Sequence, residues 1–135
     1  MRPIAVFDTN ILFSGVGWRG TPYRCLLAAR AGKVEGVTCQ EILDELAEKL
    51  TDKLYFSPSQ VTDTITDLLS FHRLVRITNT LKVVAADPED DKVLECAVLG
   101  GATHIVTGDH RHLLPLKSYQ GIPIVTAADF LATIP

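Results

Sequence analysis

Two aspartates in the sequence directly follow short apolar runs. Asp8 comes after residues 4–7, and Asp109 comes after residues 105–107 and a single glycine. Short apolar runs of this kind are typical of buried parallel strands. The carboxyl ends of parallel strands meet at one edge of a sheet, where open α/β folds bind their ligands. We therefore expect both carboxylates to lie at that edge.

A second group of acids crowds the first turn of a predicted helix, at Asp87, Glu89, Asp90 and Asp91. Acids in a first turn stabilise the helix dipole and cap unsatisfied amides, which accounts for Asp87 and Glu89. At 100° per residue, Asp91 lies beside the apolar stripe of this helix, on the border between core and solvent. Asp90 projects nearer the centre of the stripe. Asp91 is the main candidate for a site residue and Asp90 the second.

The helix predicted over residues 39–52 carries a further acid. Its apolar arc is formed by Ile42, Leu43, Leu46 and Leu50. Glu48 lies opposite this arc and Asp44 nearly so, whereas Glu45 lies nearer its margin. Glu41 has capping-box spacing from Thr38. Glu45 is therefore the best internal acid, although by itself it fits a solvated helix residue better than a ligand.

A site built from these acids suits one kind of chemistry. Hard divalent cations such as Mg²⁺ and Mn²⁺ prefer oxygen donors, which Asp and Glu supply without help from His or Cys. Such ions deprotonate a water for in-line attack on phosphorus and neutralise charge on the phosphate oxygens. The combination of acids predicts metal-assisted phosphodiester chemistry.

The strands and helices that position these acids alternate along the chain. Strands are predicted at residues 4–7, 34–37, 74–77, 105–107 and 122–125. Helices are predicted to begin at Thr21-Pro22, residue 39, Ser57-Pro58, Asp87-Pro88 and residue 127, and residues 14–20 to form a glycine-rich loop. This alternation predicts a three-layer α/β/α fold with a mostly parallel central sheet, as a single domain over residues 1–135.

The composition of the chain agrees with one folded domain. Its 135 residues are 47% hydrophobic, enough for a single core. No apolar run approaches the roughly 20 residues of a membrane span, and the first residues do not resemble a signal peptide. We therefore expect a cytoplasmic protein that is not associated with a membrane. Cys25, Cys39 and Cys96 are isolated in the sequence, which favours packing roles over disulfides or zinc.

The net charge of −3 argues against a protein that coats nucleic acid nonspecifically, because phosphate neutralisation needs a basic surface. It leaves room for a nuclease, since metal bound to clustered acids would cancel much of that charge where substrate docks. The candidate basic rim consists of Arg19, Arg24, Arg30 and Lys33 near the start and His110, Arg111, His112 and Lys117 near the end.

Four segments of the chain resemble the motifs of the PIN domain, in particular its toxin-like prokaryotic branch. They are residues 6–12 (VFDTNIL), 40–46 (QEILDEL), 87–97 (DPEDDKVLECA) and 105–109 (IVTGD). The resemblance spans essentially the whole chain, with the segments in order and at the expected spacing. One departure is visible, because His112 stands where relatives often carry a further acid.

This resemblance implies a ribonuclease that binds Mg²⁺ or Mn²⁺. The implied metal ligands are Asp8, Glu45, Asp91 and Asp109, with Asp90 as an alternative to Asp91. Asn10 would orient the first aspartate, and Thr107 would contribute a hydroxyl beside the fourth. By analogy with toxin–antitoxin relatives, the resemblance further implies an RNA substrate, a small antitoxin partner and a homodimer.

Three other functions are compatible with parts of the sequence. Residues 15–20 match the dinucleotide-binding fingerprint GxGxxG, but they follow no strand directly and the predicted helix opens after them, at Thr21-Pro22. A phosphohydrolase with Asp8 as nucleophile would need an acid two residues on, where this chain has Asn10. A catalytically silent interaction module is the third alternative, and only an activity measurement separates it from a nuclease.

Overall fold

A six-stranded sheet forms the centre of the protein. The computed structural model describes residues 2–82 and 88–135, apart from the side chains of residues 88 and 89. The strands are β1 (Ile4–Phe7), β2 (Glu35–Cys39), β3 (His72–Val75), β4 (His104–Val106), β5 (Ser118–Tyr119) and β6 (Ile122–Val125). Their order in the sheet is β3-β2-β1-β4-β6-β5, and every neighbouring pair is parallel except β5 with β6.

Helices flank the sheet. They are α1 (Thr9–Gly17), α2 (Thr21–Arg30), α3 (Gln40–Leu54), α4 (Pro58–Leu69), α5 (Pro88–Leu99) and α6 (Ala127–Ala132), with a short 3-10 helix at Leu114–Leu116. The predicted three-layer α/β/α fold with a mostly parallel sheet is confirmed. No helix within the described ranges has both the length and the apolar character needed to cross a membrane.

The pairing of β1 with β4 determines where the acids emerge. Val6 is opposite Ile105 and Phe7 is opposite Val106, and all four side chains are almost fully buried. The Asp8 amide continues the ladder by donating to the Val106 carbonyl oxygen at 3.1 Å. Since β1 and β4 are neighbours and parallel, the residues that follow them leave the sheet side by side.

Helix α1 occupies part of the segment that the sequence predicted as loop. The prediction of a loop from residue 14 was wrong, since α1 continues to Gly17. Its glycine at position 15 serves packing, because a Cβ there would lie 2.5 Å from Leu26 Cδ1 of α2. The glycines that matched a dinucleotide fingerprint therefore lie in and just after a packed helix, away from any strand end.

The helix caps were predicted with mixed success. Ser57 and Gln60 form a complete capping box at the start of α4. The capping box predicted for Thr38 and Glu41 is wrong, because Cys39 is the N-cap of α3 and makes no side-chain cap. Helix α2 begins at Thr21 as predicted, with Gly20 rather than Thr21 as its N-cap. The predicted cap at Asp87 lies outside the described residues.

The predicted bounds of the strands agree with the observed bounds more closely near the middle of the sheet than at its edges. β6 and α6 begin and end at the predicted residues. β3 begins two residues earlier than predicted, and the two-residue strand β5 was not predicted at all.

The three cysteines are free and fully buried, in agreement with their predicted packing roles.

A buried histidine joins β3 to the core. The Nδ1 atom of His72 lies 2.7 Å from the Leu68 carbonyl oxygen. A carbonyl can only accept, so Nδ1 carries the proton and Nε2 is bare; Nε2 is buried and has no hydrogen-bond partner among the described residues. The ring packs against Phe71 at a centroid distance of 4.7 Å. Burial lowers the pKa of His72.

The close approach of His72 to Gly36 on β2 predicts a steric effect. A Cβ at Gly36 would lie 2.6 Å from His72 Cδ2, so Gly36→Ala should lower the free energy of unfolding by about 1–3 kcal/mol. Urea titration measures the change. Gly108→Ala is the control, because a Cβ there has nothing within 4 Å. Equal stability of the two variants would contradict this packing.

Protonation of His72 should make the fold acid-sensitive. Its folded-state pKa is below the unfolded value of about 6.5. The unfolded chain therefore binds more protons in this window, so stability is lost as the pH falls from about 6.5 through the folded pKa. The difference in unfolding free energy between wild type and His72→Asn should shrink as the pH falls from 7.5 to 5 in urea titrations. The same comparison with the exposed His110→Asn should show no such change, and parallel profiles for His72→Asn would refute the prediction.

Candidate metal centre

A pocket of about 490 Å³ opens where β1 and β4 end. Its walls come from the start of α1, one face of α3, the first turn of α5 and the loop after β4. Six acids of the described residues line it, and four of them come one from each of these places: Asp8, Glu45, Asp90 and Asp109. Residues far apart in the sequence thus meet at the sheet edge at which the strand pattern placed Asp8 and Asp109.

Asp8 lies at the bottom of the site and is only 5% exposed. As the N-cap of α1, its Oδ1 accepts from the Ile11 amide at 2.9 Å, and its Oδ2 accepts from the Thr107 hydroxyl. Burial raises the pKa of Asp8, and the negative charges of Asp109 and Glu45 raise it further, against the two hydrogen bonds. The carboxyl is thus fixed in place but costly to ionise.

Asp109 is held by the backbone of its own loop. Its carboxylate accepts from the amides of residues 111, 112 and 113 at 3.0, 3.2 and 3.3 Å. Burial acts to raise the pKa of Asp109, but a hydrogen bond with Asp90 and these three amides outweigh it, so the pKa is lowered. Asp8 and Asp109 are therefore shifted in opposite directions within one pocket.

Thr107 links these two aspartates. Its hydroxyl donates to Asp8 and its oxygen accepts from the Asp109 amide at 3.0 Å. The side chain is fully buried at the end of β4. A hydroxyl beside Asp109 was expected, and the structure places it between the first and the fourth acid.

Asp90 and His112 complete the side of the pocket near Asp109. Ligand atoms of Asp90, Asp109 and His112 all lie within 4.8 Å of one another. The His112 Nδ1 is 3.5 Å from an Asp90 oxygen and 3.7 Å from an Asp109 oxygen. The histidine that departs from the family pattern therefore lies against two of the acids and offers a nitrogen to the same space.

Asp90 and Asp91 face different parts of the surface. Asp90 lines the acidic pocket, whereas Asp91 lines a separate hollow of about 310 Å³ together with Glu41 and Glu95. Successive residues of a helix are rotated by 100°, which directs Asp90 and Asp91 to different sides of α5. The structure thus brings Asp90 to the other three acids where the sequence analysis had Asp91 as the main candidate.

Glu45 forms an ion pair with Lys92, which follows the two aspartates on α5. The side chains are 19% and 13% exposed, so the pair is shielded from water. Lys92 was not singled out from the sequence. Its charge partly offsets that of the acids and ties α3 to α5 across the pocket.

Asn10 contacts a lysine. Its Oδ1 accepts from the Lys49 ammonium at 2.7 Å. Asn10 was expected to orient Asp8, but among the described residues the hydrogen bonds to the Asp8 carboxylate come from the Ile11 amide and the Thr107 hydroxyl. Asn10 therefore connects α1 to α3.

The cations of the pocket differ from the predicted basic rim. Of the predicted residues, Arg111 and His112 line the pocket, while Arg30 pairs with Asp67 elsewhere. Lys49, Lys53 and Lys92 line it and were missed. The signal that would have found two of them is their spacing, since positions 45, 49 and 53 share one face of a helix.

The donor set fits a hard divalent cation. Carboxylates from four different elements converge on the pocket, and repulsion from Asp109 and Glu45 adds to burial in raising the pKa of Asp8. A cation bound among them would relieve that repulsion, and oxygen ligands of this kind are those that Mg²⁺ and Mn²⁺ prefer.

Several solved structures resemble the fold. VapBC2 from Rickettsia felis, bound to a DNA fragment from their promoter, has a TM-score of 0.63 at 15% identity, covering 91% of this chain and 98% of that one. PAE2754 from Pyrobaculum aerophilum scores 0.61 at 13% identity, with coverages of 96% and 88%. The T. brucei RRP44 PIN domain scores 0.53 at 12% identity, with coverages of 98% and 80%.

At these identities the likeness concerns the fold. No curated protein matches the sequence. The family comparison is more specific, because the sequence matches the PIN domain over residues 4–111, a span that includes Asp8, Glu45, Asp90 and Asp109. The chain therefore belongs to the PIN domain family, whose members are generally nucleases.

Proposed function

We propose that the chain is a ribonuclease that hydrolyses phosphodiester bonds with Mg²⁺ or Mn²⁺ held by Asp8, Glu45, Asp90 and Asp109. The observation that carries this proposal is the convergence of these four carboxylates on one pocket in a member of the PIN domain family. A bound divalent ion would activate a water and neutralise charge on the phosphate.

The protein's own part is to hold the acids in place before metal and substrate arrive. Asp8 is fixed by a hydroxyl and an amide, and Asp109 by three amides of its loop. Groups that need no reorganisation at the moment of reaction stabilise developing charge most effectively. Lys92 holds Glu45 on the opposite wall.

Charge in the pocket makes substrate binding depend on metal. Its described lining contains six carboxylates against four lysine and arginine side chains. The carboxylates are Asp8, Glu45, Glu48, Asp52, Asp90 and Asp109, and the cations are Lys49, Lys53, Lys92 and Arg111. A phosphate is repelled by this excess until a divalent cation compensates it.

We extend the proposal to the toxin half of a toxin–antitoxin pair, with RNA as substrate, a small antitoxin as partner and a homodimer as the assembly. The likeness to R. felis VapBC2 supports the antitoxin partner. Expression of the chain alone should arrest growth and leave new RNA ends, whereas Asp8→Asn should do neither. Growth and RNA ends unchanged by the wild-type chain would argue against a toxin.

Two alternatives make different predictions. A phosphohydrolase would form a phosphorylated Asp8, but its acid/base position is taken by Asn10, which accepts from Lys49. A silent interaction module would bind partners without turnover. Incubation with an RNA panel, a matched DNA panel and phosphate monoesters separates all three: we expect metal-dependent cleavage of RNA only.

Repulsion among the acids predicts the thermal response of an Asp8 variant. Asp8→Asn removes one buried like charge and retains an oxygen for the Ile11 amide, so we expect a higher Tm than wild type in chelator. Saturation with Mn²⁺ at about 100 Kd should stabilise the wild type by about 2.7 kcal/mol and the variant much less. Thermal unfolding with and without Mn²⁺ measures both effects.

The control for this experiment is Asp63→Asn, an exposed acid on α4, which should keep the full response to Mn²⁺. A wild type whose Tm does not change with Mn²⁺ or Mg²⁺ would remove the basis for a shared ion. An Asp8→Asn variant that responds as strongly as the wild type would exclude Asp8 from the ligand set.

The placement of Asp90 and Asp91 in different hollows predicts unequal effects on catalysis. Asp90→Asn should lower kcat/KM by at least about a hundredfold, since even groups behind the ligands of a metal are worth about 10- to 100-fold. Asp91 is not among the residues that line the pocket, so Asp91→Asn should retain most of the activity. The measurement is cleavage of a labelled RNA, with Tm recorded for both variants. Loss of activity in a stable Asp91→Asn and its retention in Asp90→Asn would reverse the assignment.

A further inference from the structure

Lys49 differs from Lys92 in how its charge is compensated. Lys92 is ion-paired with Glu45. Lys49, half-buried in the wall of the same pocket, donates to the neutral amide oxygen of Asn10 at 2.7 Å. No carboxylate of the described residues lies within 4.0 Å of its ammonium, although Glu48 and Asp52 line the pocket nearby. Lys49 therefore brings to the pocket a positive charge that no ion pair with a described residue neutralises.

The position of Lys49 relative to the acids is set by α3. It is four residues after Glu45 on the same face, which is about 6 Å along the helix axis. A stacked nucleic-acid strand advances about 3.4 Å per nucleotide, so 6 Å is a distance of one to two nucleotides. Lys53 follows at the next turn and is exposed. The separation of Lys49 from the carboxylates thus matches the distance between phosphates, so Lys49 can bind a neighbouring phosphate when one phosphate lies at the carboxylates.

We propose that Lys49, held by Asn10, is a substrate-positioning residue that binds a backbone phosphate one or two nucleotides from the bond that is cleaved. The inference rests on the proposed ribonuclease function and adds a residue to it. An ammonium binds phosphate as a compact point charge with three donors, so one donor can remain on Asn10 while the others meet phosphate oxygens.

A purely structural role for Lys49 fits the contacts less well. A lysine that only joined α1 to α3 would gain more from a carboxylate than from a neutral amide, because an ion pair adds the attraction between opposite charges to the hydrogen bond. Asn10 is exposed and offers a single oxygen. The contact fixes the direction of the ammonium while leaving its charge for another partner.

The test compares Lys49→Gln with wild type in cleavage of a short labelled RNA and in binding of the same RNA by fluorescence anisotropy with Mn²⁺ present. We expect KM and Kd to rise about tenfold while kcat changes little. The slope of log Kd against log salt should fall by about 0.7, the value of one phosphate contact on a single strand. Lys49→Arg should restore most of the affinity, and Asn10→Ala should reproduce part of the loss.

The matched control is Lys33→Gln, an exposed lysine just before β2, at the edge of the sheet opposite the pocket. It should leave KM, Kd and the salt slope unchanged. The Tm response of Lys49→Gln to Mn²⁺ should equal that of wild type, which shows that the metal ligands are intact.

Two kinds of failure are distinguishable. If wild type cleaves RNA and Asp8→Asn does not, but Lys49→Gln has the affinity and salt slope of wild type, the inference about Lys49 is wrong and the ribonuclease stands. If wild type neither binds nor cleaves any RNA of the panel, both are wrong. A kcat that falls with KM and Kd unchanged would also overturn the positioning role.

Discussion

Carboxylates gathered at one edge of the sheet repel each other, and the other groups of the site compensate this repulsion. Asp8 is buried, and the negative charges of Asp109 and Glu45 add to the cost of ionising it. A fold that keeps such groups together must supply compensating interactions from elsewhere in the chain, since an isolated buried charge is far more costly than a paired one. Each of the other features around the pocket can be understood as one of these interactions.

The compensation comes from backbone amides, one hydroxyl and one ammonium. Asp109 receives three amides of the loop that follows it, and Asp8 caps α1 and receives the Thr107 hydroxyl. Lys92 reaches across from α5 to Glu45. These groups orient the carboxylates without removing their net negative charge, which is the state in which a divalent cation binds most favourably. The remaining negative charge of the carboxylates is therefore available to bind a metal ion, which in turn binds substrate.

The rotation of residues about the axes of α3 and α5 decides which of their side chains face the pocket. One residue of rotation on α5 separates Asp90, in the pocket, from Asp91, in the neighbouring hollow. On α3, the spacing of four residues places Glu45 and Lys49 on one face. Acidic and basic groups of the pocket therefore alternate along helices whose other faces are buried in the core, and a change in helix packing would alter both sets together.

The sequence by itself determined the fold class and the edge at which the acids gather, because apolar strands followed by aspartates and alternating with amphipathic helices admit few arrangements. The tertiary structure decided which acid of α5 faces the pocket, because periodicity ranks Asp90 and Asp91 only by their distance from the apolar stripe and does not reveal what packs on either side. It also decided that Thr107 joins two aspartates and that Asn10 holds Lys49, contacts that cross up to 99 positions of the chain. Local patterns carry no information about such pairs, since they arise only when separate elements pack.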